Sequence, residues 1–346
     1  MSSPPSGINR FRAYLQFIAA VLYFFLARSF AWRAAQGLLS DAWHPLLEQA
    51  ILAGLLILGY ATMGLVFDRQ AHPIREQGLC RRPGWPSEAA LGLAFGWGLA
   101  VVCVLAMALA GGIAIVLVPG LAAWCWLVAD VAFFALAALV EEVAFRGYGF
   151  QRFASAVGPL GATLGFAAYY AIVQSITPGA SHASIAVSIA FSLLLSTAYL
   201  RSRALILSWG LNFAWKASRA LLFGLAISGV NVHSPVVQGD PMGSFWLTGG
   251  GYGLDGSWFA FFVLIAALPF LFRVTRDLDF RYNAPVLVPA GIPVDLDAAA
   301  RSQHEAAMGP AQPAGATLVQ ILPVTPQPSP GTYPPNPPND ASRQPR

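Results

Sequence analysis

Residues 121–147 read LAAWCWLVADVAFFALAALVEEVAFRG, an apolar run broken only by Asp130 until it closes on Glu141, Glu142 and Arg146. About 20 apolar residues cross the hydrocarbon of a bilayer, so the run has the length of a membrane helix. An ionisable side chain at membrane depth costs about 2.5–3.5 kcal/mol on insertion scales and persists mainly where it faces a polar cavity or a partner. On a helix Glu142 and Arg146 are one turn apart and can pair, while Glu141 points about 100° away and is left for a group elsewhere in the chain. These three residues are the functional candidates around which the remaining sequence is read.

The whole chain shares this character. Of 346 residues, 56% are hydrophobic and 10% charged, against about 25% charged in soluble domains, and the mean hydropathy is +0.59. The fold class expected is an all-α, polytopic transmembrane helical bundle, with membrane lipid as its surroundings. The formal charge of +4 is carried almost wholly by Arg in short loops, which reads as topology signal. No basic stripe with interleaved aromatics stands clear of the spans, so nucleic acid is not expected as a partner. Cys80, Cys103 and Cys125 form no paired framework and read as small apolar residues rather than as disulfides or zinc thiolates.

The run at residues 14–32 is too long for a signal peptide, and no small-residue cleavage site follows it, so it reads as a retained first span. Further runs lie at 46–67, 89–109, 121–140, 160–175, 184–200, 204–226 and 257–272, giving about eight helices. The run at 160–175 is short and is expected to pack inside the bundle. Three parts follow: N-terminal membrane helices over 1–70, a membrane core over 71–273, and a tail over 274–346. From about residue 284 the tail turns to Pro, Ala, Gln, Asn and Ser and ends in Pro334-Pro335-Asn336-Pro337-Pro338. Such a segment buries too little apolar surface to offset its ordering entropy, so a disordered cytoplasmic tail is expected.

Arg10 and Arg12, then Arg69, Arg75, Arg81 and Arg82, then Arg146 and Arg152, then Arg201 and Arg203, then Arg273, Arg276 and Arg281 fall in alternate connections. The positive-inside rule then places both termini in the cytoplasm and the Glu pair at the cytoplasmic end of the fourth helix. Arg28 and Arg33 are the one inconsistency. The opposite loops at 111–120, 177–181 and 229–256 carry little or no positive charge.

Glu141-Glu142-x-x-x-Arg146-Gly147 within eight expected helices resembles the CAAX-protease and bacteriocin-processing family, also described as the ABI family, of intramembrane metalloproteases. Downstream, Gly210-Leu211-Asn212-Phe213-Ala214-Trp215, then Leu222-Phe223-Gly224-Leu225 and Ser228-Gly229, resembles the family's G-L-H-x-x-W-N and F-G-x-x-x-S-G. Trp246-Leu247-Thr248-Gly249-Gly250, continuing to Gly253-Leu254-Asp255-Gly256, resembles the W-L-T-G-G-x-x-G-P-E-G loop of one bacterial branch. The likeness covers about residues 75–272, including an amphipathic stretch at 75–85. It implies a multi-pass protein of the cell inner membrane that acts on a membrane-anchored peptide or protein. It also implies a general-base Glu and a divalent metal, zinc, held by histidines.

This sequence departs from that pattern where the histidines belong. The family's F-x-x-x-H falls at Phe166-Ala167-Ala168-Tyr169-Tyr170, so Tyr170 stands for the first His. In the family's H-x-x-x-N, Asn212 replaces the His and Lys216 the Asn. A catalytic zinc wants about three His or carboxylate ligands and an open position, so no bound metal or other cofactor is expected. Lys216 is the chain's single lysine. At mid-span it cannot snorkel and needs an anionic partner, a demand that Arg219 one turn on compounds. It is therefore expected to point at Glu141 and Glu142, replace the metal as counter-charge and leave the Glu a weaker base. His182, His233, His44, His72 and His304 are assigned to loops or termini, His182 being the one a re-entrant loop could return to the site. Tyr170 and Trp215 also read as interhelical packing, Arg146 as a positive-inside anchor, and Gly210 and Gly224 as points of close helix approach.

Three functions remain: a pseudoprotease that keeps the cavity for binding or regulation, an active intramembrane peptidase with Glu141 as base, and a transporter using the buried charges as a relay. Missing internal repeats and missing broken helices argue against the last.

Overall fold

In the computed structural model, which describes residues 7–38, 40–79, 82–229 and 236–278, the eight apolar runs all become helices. The described residues lie in one unit, Met1–Ala284. The helices are α1 (Gly7–Leu38), α2 (His44–Asp68), α3 (Pro73–Glu76), α4 (Trp85–Leu109), α5 (Leu121–Arg146), α6 (Tyr148–Val157), α7 (Pro159–Ser175), α8 (His182–Ser202), α9 (Leu205–Ala217), α10 (Phe245–Thr248) and α11 (Trp258–Val274). Pro45, Pro73, Pro86 and Pro159 occupy first turns, where a missing N–H costs no hydrogen bond. Ser181 and Ser184 form a reciprocal cap that starts α8. The expected tail from residue 279 onward, with His233 and His304, lies outside the described residues.

Among the described residues, five segments are long and apolar enough to span a bilayer: Asn9–Leu38, Asp41–Asp68, Trp85–Leu109, Leu121–Val157 and His182–Ser202. The protein is a multi-pass membrane protein. Not all eight runs have spanning length, because α7 and α11 have 17 residues and α9 has 13. At 1.5 Å per residue α9 extends only about 20 Å, against roughly 30 Å of hydrocarbon. It stops short of the expected residue 226 because the helix widens into a π-helical turn at Ser218–Leu222 and then reverses at Gly224, whose φ is +65°.

The all-α expectation also needs correcting. Strands β1 (Ile113–Leu117) and β2 (Val237–Pro241) pair antiparallel, from Ile113 opposite Pro241 to Leu117 opposite Val237. The β-branched Ile113, Ile115 and Val116 favour an extended chain. Their place in a short uncharged loop hid that preference. Gly224 serves this ribbon and not a helix crossing, since a Cβ there would stand 2.4 Å from the Gly239 nitrogen.

Among the described residues, the two larger of three apolar cores hold most of the bundle. One joins α4, α8, α9 and α11 through residues such as Leu99, Leu194, Leu211 and Leu264. The other joins α1, α2, α5, α6 and α7 through Leu56, Val143, Phe150 and Phe166. Lipid tails are as apolar as these side chains, so close packing, not water exclusion, drives such contacts. The tightest is α4 on α9. A Cβ at Gly92 would lie 2.4 Å from the Leu207 carbonyl oxygen, one at Gly96 2.3 Å from that of Leu211, and one at Gly210 2.9 Å from that of Ala89. Pressing this face of α9 onto α4 leaves the face bearing Asn212 and Lys216 turned toward α5.

Candidate functional site: a buried charge cluster

Glu141, Glu142 and Arg146 occupy the last turns of α5, just before the chain bends at Gly147 into α6. A Cβ on Gly147 would meet the Val143 carbonyl oxygen at 2.3 Å, so the bend requires glycine. The helix geometry pairs Glu142 with Arg146, at 3.4 Å between Oε1 and Nη1. Both side chains are 0% exposed. Arg146 spreads its remaining donors onto α8, where Nη2 donates to the Ser192 carbonyl at 3.2 Å, and onto α7, where Nη1 lies 3.4 Å from the Tyr170 hydroxyl. The guanidinium also sits 5.5 Å from the Tyr170 ring centre. Three helices are thereby tied to one cation.

Glu141 turns the other way and meets α9. Lys216 Nζ donates to both of its oxygens, at 2.5 and 2.6 Å, the contact expected of the chain's single lysine. Asn212, one helical turn earlier, donates its amide to Glu141 Oε2 at 2.9 Å and to Glu142 Oε1 at 3.0 Å. It thus bridges two carboxylates that would otherwise repel. The four ionised groups sum to zero, and the pair at Glu141 is the wetter one, its side chains 29% and 19% exposed. Glu142 Oε2, Arg146 Nε and Asn212 Oδ1 are buried without a hydrogen-bond partner, and each such group in a native fold calls for an explanation.

These donors do not fit a catalytic divalent ion. Such a site takes about three His or carboxylate ligands, whereas here the two carboxylates are flanked by an amide, a phenol, an ammonium and a guanidinium. Among the described residues no three His, Cys, Asp or Glu side chains gather closely enough to hold a metal ion. His182 opens α8 ten residues before Ser192, about 15 Å along the helix. His44 faces Asp41 at 3.6 Å, and His72 precedes α3.

Arg219, whose spacing compounds the demand for an anion, finds its own partner away from the Glu pair. Its guanidinium lies 4.3 Å from the Trp215 ring centre and donates to Asp255 Oδ1 at 2.6 Å, while Ser228 donates its backbone N–H and hydroxyl to Asp255 Oδ2 at 3.0 Å each. Asp255 holds the acidic position of the W-L-T-G-G-type loop, the one signal from which this partner was readable. Trp215 packs in the core, as one reading of it held, and also seats the Arg219 cation, which no reading foresaw. Burial alone raises the Asp255 pKa, but the Arg219 charge and the hydrogen bonds from Arg219 and Ser228 outweigh it, so the carboxyl titrates below its ordinary value of about 3.9. The stability it contributes is present above that ordinary value and is lost as pH falls through the folded-state one. The gap in melting temperature between the wild type and Asp255→Asn is therefore expected to be full at neutral pH and to close on acidification. A gap that stayed constant from pH 7 down to the acid limit would refute the linkage.

Residues 122–218 match the family model for Rce1-like, type II CAAX prenyl endopeptidases. Neither the curated proteins nor the solved structures give a match. The matched interval contains Glu141, Glu142, Arg146, Tyr170, Asn212 and Lys216, the residues that the fold gathers into one charge cluster. This segment is a Rce1-like domain of the type II CAAX prenyl endopeptidase family, carried by a multi-pass membrane protein.

Proposed function

We propose that the protein is a pseudoprotease, a membrane-embedded binding or regulatory protein that retains the family's buried site while Lys216 neutralises its base. The observation that carries this reading is the Lys216 ammonium against both oxygens of Glu141. A general base must present a carboxylate oxygen to a water and accept its proton in the transition state. Here a water would first have to displace an ammonium, and Asn212 holds the same carboxylate from a second side. Tyr170 and Asn212 supply no imidazole in exchange. The unmet polar atoms around Glu142 suit capture of a polar peptide group by hydrogen bonding. A membrane-anchored peptide or protein is the ligand class proposed. The arginine distribution supports an orientation with both termini cytoplasmic, and the family likeness supports the inner membrane as its location.

A peptidase assay on purified protein in lipid nanodiscs, with a prenylated CAAX-type peptide, tests the reading. The wild type should release no product above background and retain no stoichiometric zinc after dialysis. Tyr170→His/Asn212→His/Lys216→Asn, which restores the family residues, should gain both zinc and cleavage. Cleavage by the wild type that is abolished in Glu141→Gln, or zinc retained by the wild type and lost in Glu141→Ala, would instead establish the active peptidase.

A further inference from the structure

We propose that α1, α6 and α7 form a binding site for an anionic phospholipid, with the headgroup phosphate held by Arg10, Arg12 and Arg152 and an acyl chain in the aromatic groove beside them. This site is separate from the Glu141 cluster and holds whichever way Glu141 functions. A cavity of about 890 Å³ opens between the first turns of α1 and the corner where α6 passes into α7, walled by Arg10, Arg12, Gln16, Asp68 and Arg152. Its single carboxylate among the described residues, Asp68, is already committed. Asp68 receives Arg152 at 3.1 Å, the Gln16 amide at 3.0 Å and the Tyr148 hydroxyl at 2.9 Å.

The cations keep capacity to spare. Arg10 has no hydrogen bond or ion pair among the described residues, Arg12 reaches only the Phe67 carbonyl oxygen, and Arg152 Nε is buried without a partner. The 17-residue helix α7 begins at the same corner, with Gly158 providing no side-chain cap for its first N–H groups. Three guanidinium groups against one carboxylate leave a net charge of about +2 around the cavity. Unspent donors and the positive end of a helix are the chemistry that receives a phosphate.

The next turns of α1 identify the phosphate as a lipid's. A second cavity, of about 300 Å³, is lined by Phe17, Phe24, Phe145, Phe153 and Phe166 and reaches the outer face of the bundle at Ile18, which is 50% exposed. Phe153 neighbours Arg152 in α6 and stacks on Phe17 at 4.6 Å, so the groove continues from the charged cavity along the same helices. Residues 17–25 of α1 lie roughly 10–20 Å farther along its axis than Arg10 and Arg12. Charge followed by apolar groove, at that spacing, matches a headgroup followed by its acyl chain. Basic pockets between membrane helices bind anionic headgroups by the same physics.

Native mass spectrometry of the detergent-purified full chain tests this, with phosphatidylglycerol, phosphatidylcholine and inorganic phosphate as probes. Phosphatidylglycerol should bind about tenfold more tightly than phosphatidylcholine. Arg10→Gln should weaken phosphatidylglycerol by about fivefold, the worth of one arginine near an anionic headgroup, and should weaken phosphatidylcholine by less, because its choline cation offsets the charge of the same phosphate. Arg10→Lys should retain the preference. Ile18→Trp, which plugs the groove mouth from an exposed position, should weaken both lipids. Equal retention of the two lipids, or no response to Arg10→Gln, overturns the headgroup assignment. No response to Ile18→Trp overturns the acyl-chain seat. Displacement of phosphatidylglycerol by millimolar inorganic phosphate overturns the lipid in favour of a free anion.

Discussion

Arg146→Met should lower the stability of the folded protein by roughly 3–5 kcal/mol, the range for removing one partner of a buried ion pair. Thermal melting in a mild detergent measures it. Both Arg146 and Glu142 are 0% exposed, and the substitution removes in one step the counter-charge of Glu142 and the contact to the Ser192 carbonyl. Most of the cost is the carboxylate left behind, since a buried charge without its partner loses hydration and receives nothing in return. Arg146→Met/Glu142→Gln should therefore melt well above the single variant, because a neutral amide oxygen still accepts from Asn212. Arg146→Lys should recover the charge but not the fork that reaches α7 and α8, and should fall between wild type and Met. If Arg146→Met melts with the wild type, or the double variant melts no higher than the single, the cluster is not a balanced pair and its buried polar atoms need another explanation.

The half of this cluster carried by one helix was legible in the sequence. Spacing alone pairs Glu142 with Arg146, because one helical turn brings them together whatever the tertiary fold. Lys216 was legible for a different reason: an ammonium at membrane depth has to find an anion, and few anions are available. Asn212 as a bridge between two carboxylates was not legible. Its amide reaches both only because α9 is rotated by its contact with α4, and that rotation depends on Gly92, Gly96 and Gly210 allowing backbones to meet. For the same kind of reason the partner of Arg219 was not named. That partner, Asp255, is 36 residues away in a loop whose return over α9 no periodicity encodes. The strand pair Ile113–Leu117 with Val237–Pro241 likewise depends on an approach between distant segments. The hydropathy that located α9 could not see its end, because a π-helical turn is as apolar as an α-helical one.

The last prediction separates the wet half of the cluster from the dry half. Lys216→Met should cost about 1.5–3 kcal/mol, the worth of hydrogen bonds to a charged group. That is less than the loss at Arg146, since side chains 19% and 29% exposed leave water to solvate the abandoned carboxylate and screen the pair. Lys216→Met/Glu141→Gln should recover part of the loss, though not all, because Glu141 also accepts from Asn212 and an amide is a weaker acceptor there. The double-mutant cycle isolates the Lys216–Glu141 coupling from the packing of either side chain alone. A coupling energy near zero would mean that the ammonium rests against Glu141 without stabilising it. In that event Lys216 could leave the carboxylate at little cost, and the argument that Glu141 is held out of use as a base would fail with it. A coupling above about 1 kcal/mol, with the ordering Arg146→Met below Lys216→Met in melting temperature, is the outcome the geometry requires: one salt bridge fastens the bundle, and the other neutralises the carboxylate that faces water.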